Sequence, residues 1–250
     1  MVRRVLVVLV VVACAAGVVT YQATRPAKAS GNPSPFVPSP RFFLDFSPSF
    51  RTSIADAYYL GMMQYYGTYH GKAAKLGSLA AMSDLVTSLS PKFTTAYYFA
   101  AFALVDTGHP ELGYALLKKG FKENKDSPDS WQFPVILGFF AYHYGFGEDK
   151  SLEAADWYQQ AAAIPGSPDY VDRLAAVLLG KGGETEKSIL LWGQVYAKGD
   201  KYSRQKAVDG LDRILPDEKQ ARMKAVATLY GTMPKADFEA LIAELFEGYE

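Results

Sequence analysis

A chain of 250 residues, 49% hydrophobic and 21% charged, is long enough for one or two folded domains and too apolar to be disordered. Its 26 Lys and Arg balance its 26 Asp and Glu, yet Arg3, Arg4, Arg25 and Lys28 all fall in the first thirty positions, where there is no acid. The remainder is therefore mildly acidic and carries no basic stripe, which argues against nucleic acid as a partner.

Met1-Val2-Arg3-Arg4 is a short basic stretch, and the run from Val5 to about Tyr21 is uncharged and mostly apolar. As a helix that run extends about 25 Å at 1.5 Å per residue, close to a hydrocarbon core of ~30 Å once Gln22 to Thr24 join it. The first expectation is a signal anchor over residues 1–24. It would cross a bacterial inner membrane once and leave the body facing the periplasm or the exterior. A cleaved secretory signal is a second reading, because Ala27-Lys28-Ala29 offers a small-x-small site. A lipoprotein signal is a third, because Val11-Val12-Ala13-Cys14 resembles a bacterial lipobox, although Ala15 to Val19 stay apolar after it. All three export the body. Cys14 is the only cysteine, so that body makes no disulfide and depends on its core.

Residues 25–47 read as a linker. Five prolines between Arg25 and Pro40, interspersed with Ser, Gly and Asn, favour an extended spacer. Phe42, Phe43, Leu44 and Phe46 follow as an aromatic cluster, suited to docking the spacer on the first helices.

Beyond residue 48 the pattern predicts helices separated by short breaks. Ser53 to Tyr66 ends at Gly67, and Leu79 to Leu89 is stopped by Pro91. Thr94 to Val105 runs to Thr107-Gly108, and Pro110 fits the first turn of the next helix. Ser127-Pro128-Asp129 is a turn before the helix holding Leu137-Gly138, with Pro134 in or near its first turn. Leu152 to Ala163 ends at Pro165-Gly166. Ser167-Pro168 reads as an N-cap plus first-turn proline for Asp169 to Leu179. Thr185 to Tyr196 comes next, after a glycine-rich break at Gly180 to Gly183. Lys201 to Leu215 and Glu218 to Tyr230 are further helices. A last one after Pro234 sets Phe238, Leu241, Ile242, Leu245 and Phe246 on one stripe. No run of period two survives, so the body is expected to be all-α.

Two elements recur about every 35–40 residues. One is a small residue in an apolar run: Leu60-Gly61, Ala100-Ala101, Leu137-Gly138 and Leu174-Ala175. The other is a small–bulky–small series at +4 and +7: Ala81/Leu85/Ser88, Gly113/Leu117/Gly120, Ala154/Tyr158/Ala161 and Ser188/Trp192/Val195. That spacing aligns one helix face, where small residues admit a neighbouring backbone. On these residues the chain resembles the tetratricopeptide repeat family over roughly residues 52–197. The third unit matches best, with Leu137-Gly138, Ala154, Tyr158, Ala161 and a closing Pro165; the first is degenerate, with an expanded loop around Thr68 to Ser78. The resemblance implies a right-handed solenoid of helix-turn-helix repeats over residues 48–200, closed by capping helices over 201–250.

The sequence holds no HExxH, GxSxG, GxxxxGK[ST] or CxxCH pattern, and His70, His109 and His143 have no metal-ligand spacing. No enzyme, metal or cofactor is expected. Asp56, Gln64 and Arg173 sit in apolar helices and are read as buried polar contacts, with a catalytic site around them as the rival. In the repeat family the first helices of successive units line a concave surface. Projected here, that surface takes Tyr58, Met62, Tyr65 and Tyr66 from the first unit, Tyr98, Phe102 and Asp106 from the second, and Gln132, Phe139, Tyr142 and His143 from the third. Aromatics give contact area with little rotamer entropy lost. The resemblance thus implies a non-catalytic, membrane-anchored scaffold for a protein or peptide partner in the cell envelope. A pilotin-like lipoprotein, or a glycan- or lipid-binding module using the same groove, is the alternative.

Overall fold

The computed structural model describes residues 35–70 and 77–247. The expected anchor over residues 1–24, Cys14 and the Ala27–Ala29 site lie outside the described residues, as does most of the loop expected around Thr68 to Ser78. The chain divides into two units, Met1–Phe36 and Val37–Glu250, and every element below belongs to the second. Among the described residues there is no strand, and no helix is long and apolar enough to cross a membrane.

The order is α1 (Pro40–Phe46), a 3-10 turn, α2 (Arg51–Tyr69), α3 (Leu79–Leu89), α4 (Thr94–Asp106), α5 (Pro110–Glu123), α6 (Gln132–Tyr144), α7 (Lys150–Ala162), α8 (Tyr170–Lys181), α9 (Thr185–Lys198), α10 (Lys201–Ile214), α11 (Lys219–Val226) and α12 (Lys235–Leu245). The aromatic end of the expected linker is thus itself a short helix. Of its cluster, Phe43 alone of the rings meets α2, at 6.0 Å from Tyr58, while Phe42 and Phe46 stay exposed.

Local chemistry explains most boundaries. Pro110 opens α5, where a missing N–H costs nothing. The Asp149 carboxylate caps α7, accepting from Ser151 N at 2.7 Å and Leu152 N at 3.1 Å. Gly145 ends α6 at φ 65°, a left-handed conformation that a side chain would disfavour. Two expectations need correction. Ser167 is not a cap: α8 begins at Tyr170, with Asp169 at the N-cap and no side-chain bond to it. Gly67 does not stop α2, which runs on to Tyr69 because a glycine with free space around it weakens a helix without breaking it.

From α2 to α10 each helix packs on the next. Side chains also reach across to the helix after that. Tyr66 of α2 meets Phe99 of α4 at 5.5 Å, Phe102 of α4 meets Phe140 of α6 at 5.3 Å, and Lys181 of α8 donates to the Tyr142 hydroxyl of α6 at 3.1 Å. On the odd-numbered side, Lys119 of α5 pairs with Asp84 of α3 at 3.2 Å, and Trp157 of α7 donates to the Tyr114 hydroxyl of α5 at 2.6 Å.

The small–bulky–small residues mark where helices touch. Gly113, Leu117 and Gly120 are buried, as are Ala154, Tyr158, Ala161, Ser188, Trp192 and Val195. A Cβ on Gly138 would fall 2.9 Å from the Tyr158 ring, so the glycine is what admits that tyrosine. The first series is displaced. Its Leu85 is buried, but Ala81 is exposed and Ser88 half-buried, and α3 buries Met82, Ser83, Val86 and Leu89 beside Leu85. The reason is Met62, which packs into α3 beside the Ser83 hydroxyl at 3.7 Å and selects that face.

The last three helices share a core with α9, built on Trp192, Tyr196, Leu211, Val226, Leu241 and Leu245. Phe238, Ile242 and Phe246 pack against it, so the stripe expected on α12 faces inward. Arg222 is buried there and pairs with the Asp212 carboxylate.

Candidate functional site

The projected surface residues separate into two groups. Met62 is fully buried among α2, α3 and α4 and cannot line a surface. Tyr58 and Tyr65 are half-buried, the first packed against Phe43 and the second edge-on to Tyr69 at 5.2 Å. These three are core or core margin, because α2 faces α3 and α4 with the side assigned to the groove. Tyr98 is half-buried too, with its ring 4.7 Å from Phe133, and burial raises its phenol pKa.

Four others come together. Phe102 on α4 and Phe139 on α6 are 45% and 37% exposed, with ring centroids 6.3 Å apart. His143, one turn after Phe139, lies 4.1 Å from its ring and bonds through Nδ1 with the Phe139 carbonyl at 2.9 Å. Tyr142 stands beside His143 at 5.6 Å. Its hydroxyl accepts from Lys181, and the ammonium groups of Lys150 and Lys181 lie 5.4 and 5.3 Å from its ring. That bond and the Lys181 charge, then Lys150, hold the phenol below its ordinary pKa. The Phe102–Phe139–His143 row is thus apolar in the middle and cationic toward α8.

One turn after Phe102, at the C-terminal end of α4, Asp106 accepts from the Tyr66 hydroxyl and lies 3.3 Å from His70 Nδ1. Burial, then the Asp106 contact, pushes Tyr66 up to about 12. At that value the phenol keeps its proton at neutral pH and donates a hydrogen bond to the Asp106 carboxylate. Gln132 is half-buried at the start of α6.

Asp56 and Gln64 are exposed, not buried contacts, and Arg173 donates to Ser203 on α10 at 2.9 Å. Among the described residues, no three His, Cys, Asp or Glu side chains gather in a way that could hold a metal ion.

Sequence reasoning missed a cleft between α8 and α10. It encloses about 310 Å³ and is lined by Tyr170, Arg173, Leu174, Val177, Lys206 and Arg213, with Trp192 beneath. The signal was present: Tyr202, Lys206, Asp209 and Arg213 recur at helical spacing on α10, as Tyr170, Arg173, Leu174 and Val177 do on α8. Treating residues after 200 as caps put α10 outside the surface.

The class these features define is an all-helical protein of twelve helices among the described residues, with exposed aromatic and cationic side chains on α4, α6, α8 and α10. Comparison with protein-family models, with curated proteins and with solved structures finds no match to this chain.

Proposed function

We propose that this chain is a non-catalytic scaffold of the tetratricopeptide-like kind. Its helices form a right-handed solenoid, and it binds a protein or peptide partner through the face carried by α4, α6 and α8. Residues 1–24 anchor it to a bacterial inner membrane and place the body in the cell envelope. The contacts of α2 with α4, α4 with α6 and α6 with α8 support the stacked reading, since alternate helices lie side by side in such an array. The observation that carries the binding reading is the exposed Phe102–Phe139 pair with His143. Large rings left in contact with water and with each other are ready to lose that water to a partner.

The test is affinity capture from solubilised envelopes with wild-type chain and with Phe102→Ala plus Phe139→Ala. Both rings are substantially exposed, so the variant should keep its fold while losing the partner retained by wild type. An identical set of captured proteins would overturn the site. Retention of oligosaccharide by the wild type, with no protein retained, would move the row to the glycan-binding alternative.

A further inference from the structure

The cleft between α8 and α10 has a chemistry of its own. Its walls are apolar: Leu174 and Val177 on α8 are 38% and 37% exposed, and Tyr170 stands beside them. Its floor is the Trp192 indole, which is buried and lies against the backbone of α10 at Gly210. A Cβ there would come within 2.4 Å of the ring. The glycine lets an aromatic floor sit flush between two helices.

The rim is cationic. Arg173, Lys206 and Arg213 line the cleft with a single carboxylate, Asp209. Two of the cations are held in place. The Arg173 guanidinium donates to Ser203 and lies 5.5 Å from the Tyr202 ring, with the Asp200 carboxylate near enough to feel its charge. Lys206 bonds Asp209 at 3.0 Å, and that bond comes first among the influences holding Asp209 below the usual carboxylate range. Arg213 lowers the same carboxylate from a distance. After Asp209 is counted, the rim keeps an excess of positive charge directly above apolar walls.

We infer that this cleft binds an acidic–apolar segment of a partner protein, with an aliphatic side chain seated between Leu174 and Val177 on the Trp192 floor and a neighbouring Asp or Glu carboxylate meeting Arg213 and Arg173. The volume, at the low end for ligand pockets, suits one or two side chains and not a whole folded element. A peptide fits better than a free small carboxylate because the cleft adjoins the aromatic row: Lys181, at the end of α8, bonds Tyr142 on α6. An extended segment running along that face meets rings at one end and cations at the other. The mildly acidic body and the carboxylate inside the rim set it apart from a phosphate-tracking groove. The inference rests on the reading that the chain binds protein segments, and it adds the chemistry of the segment.

The test uses fluorescence anisotropy of the purified full chain with labelled synthetic hexapeptides of alternating Leu and Glu. Analogues with Lys for Glu and with Ser for Leu are run beside it, and octanoate serves as competitor. The Leu–Glu peptide should bind saturably, and each analogue at least about tenfold more weakly. Arg213→Glu should weaken binding by at least about tenfold through charge reversal, and Val177→Asp by a similar factor through the lost wall. Both positions are exposed, so unchanged circular dichroism and melting temperature should accompany the loss. Equal binding of the Lys analogue, or wild-type affinity in both variants, would overturn the inference. So would octanoate displacing the peptide at the peptide's own affinity, which would reassign the cleft to a small carboxylate. Phe102→Ala plus Phe139→Ala should leave hexapeptide binding intact, since neither phenylalanine lines the cleft. Loss of envelope capture with hexapeptide binding retained supports both readings. Hexapeptide binding lost in Arg213→Glu, with envelope capture indifferent to the two phenylalanines, rejects the aromatic site alone.

Discussion

Gly113→Ala tests the packing on which the rest depends. Gly113 is where α5 meets both α4 and α6: an added Cβ would stand 2.7 Å from the Ala101 carbonyl oxygen and 3.0 Å from the Phe140 ring. Carbon–oxygen contacts begin near about 3.3 Å, so the helices would have to part by roughly 0.6 Å. The opposing atom is backbone, held in the middle of α4, and cannot swing aside as a side-chain end could. Overpacking costs about 1–3 kcal/mol, and against backbone that cannot yield the upper part of that range, about 2–3 kcal/mol, applies. Alanine returns about 0.8–1.0 kcal/mol of helix propensity over glycine, which leaves a net loss of about 1–2 kcal/mol. With a urea dependence of about 2 kcal/mol per molar, the unfolding midpoint falls by about 0.5–1 M, read by circular dichroism. Gly67→Ala is the internal control. That glycine is in α2, exposed, with nothing within 4 Å of an added Cβ. The same change should therefore raise the midpoint slightly, by the propensity gain alone. If Gly113→Ala unfolds at or above the wild-type midpoint while Gly67→Ala behaves as expected, α4 and α5 do not meet at this point.

Three further outcomes are expected. Met62→Ala removes a fully buried side chain between α2, α3 and α4, so stability should drop by about 2–5 kcal/mol. A shift below 0.5 kcal/mol, about the range of a surface change, would return Met62 to the surface. Asp149→Ala deletes the α7 cap and should cost about 1 kcal/mol, with hydrogen exchange rising first at Ser151 and Leu152; unchanged protection there would contradict the cap. Tyr97 and Tyr196 are pushed up from 10.0 to about 12, chiefly by burial, as is Tyr66. The unfolded chain releases these protons near pH 10 while the folded chain keeps them to about 12. Their contribution is therefore whole below pH 10 and is lost as pH rises through 12. Unfolding free energy should fall steeply across that window, and Tyr97→Phe should flatten the fall. An identical slope in the variant would refute the assignment.

The helices themselves were legible because their signals are local. Proline at Pro110, the break at Thr107-Gly108, and apolar spacing over Leu79–Leu89 and Lys201–Ile214 each act within a turn or two of the chain. The series Gly113/Leu117/Gly120 and Ala154/Tyr158/Ala161 also read correctly as packing positions. Small residues at +7 with a large one between them have few other uses on a helix.

The candidate site was less legible, for a different reason. On α2 the tyrosines and Met62 share a helix whose polar and apolar faces are poorly separated, so spacing does not say which side turns inward. Met62 went to the core and Tyr58 to Phe43, a ring donated by a helix that the proline content had marked as linker. Phe102, Phe139, Tyr142 and His143 come together because α4 and α6 are flanked on both sides by helices that fix their orientation.

By itself, the sequence determined that the body of this protein is helical, where most helices begin and end, and which small residues bring them into contact. All of these follow from backbone propensity and local periodicity. Only the tertiary structure decided which aromatic side chains meet water, and that a tryptophan floor and three cations converge between α8 and α10. Exposure and convergence belong to pairs of helices joined through a third, and no single stretch of chain carries that information.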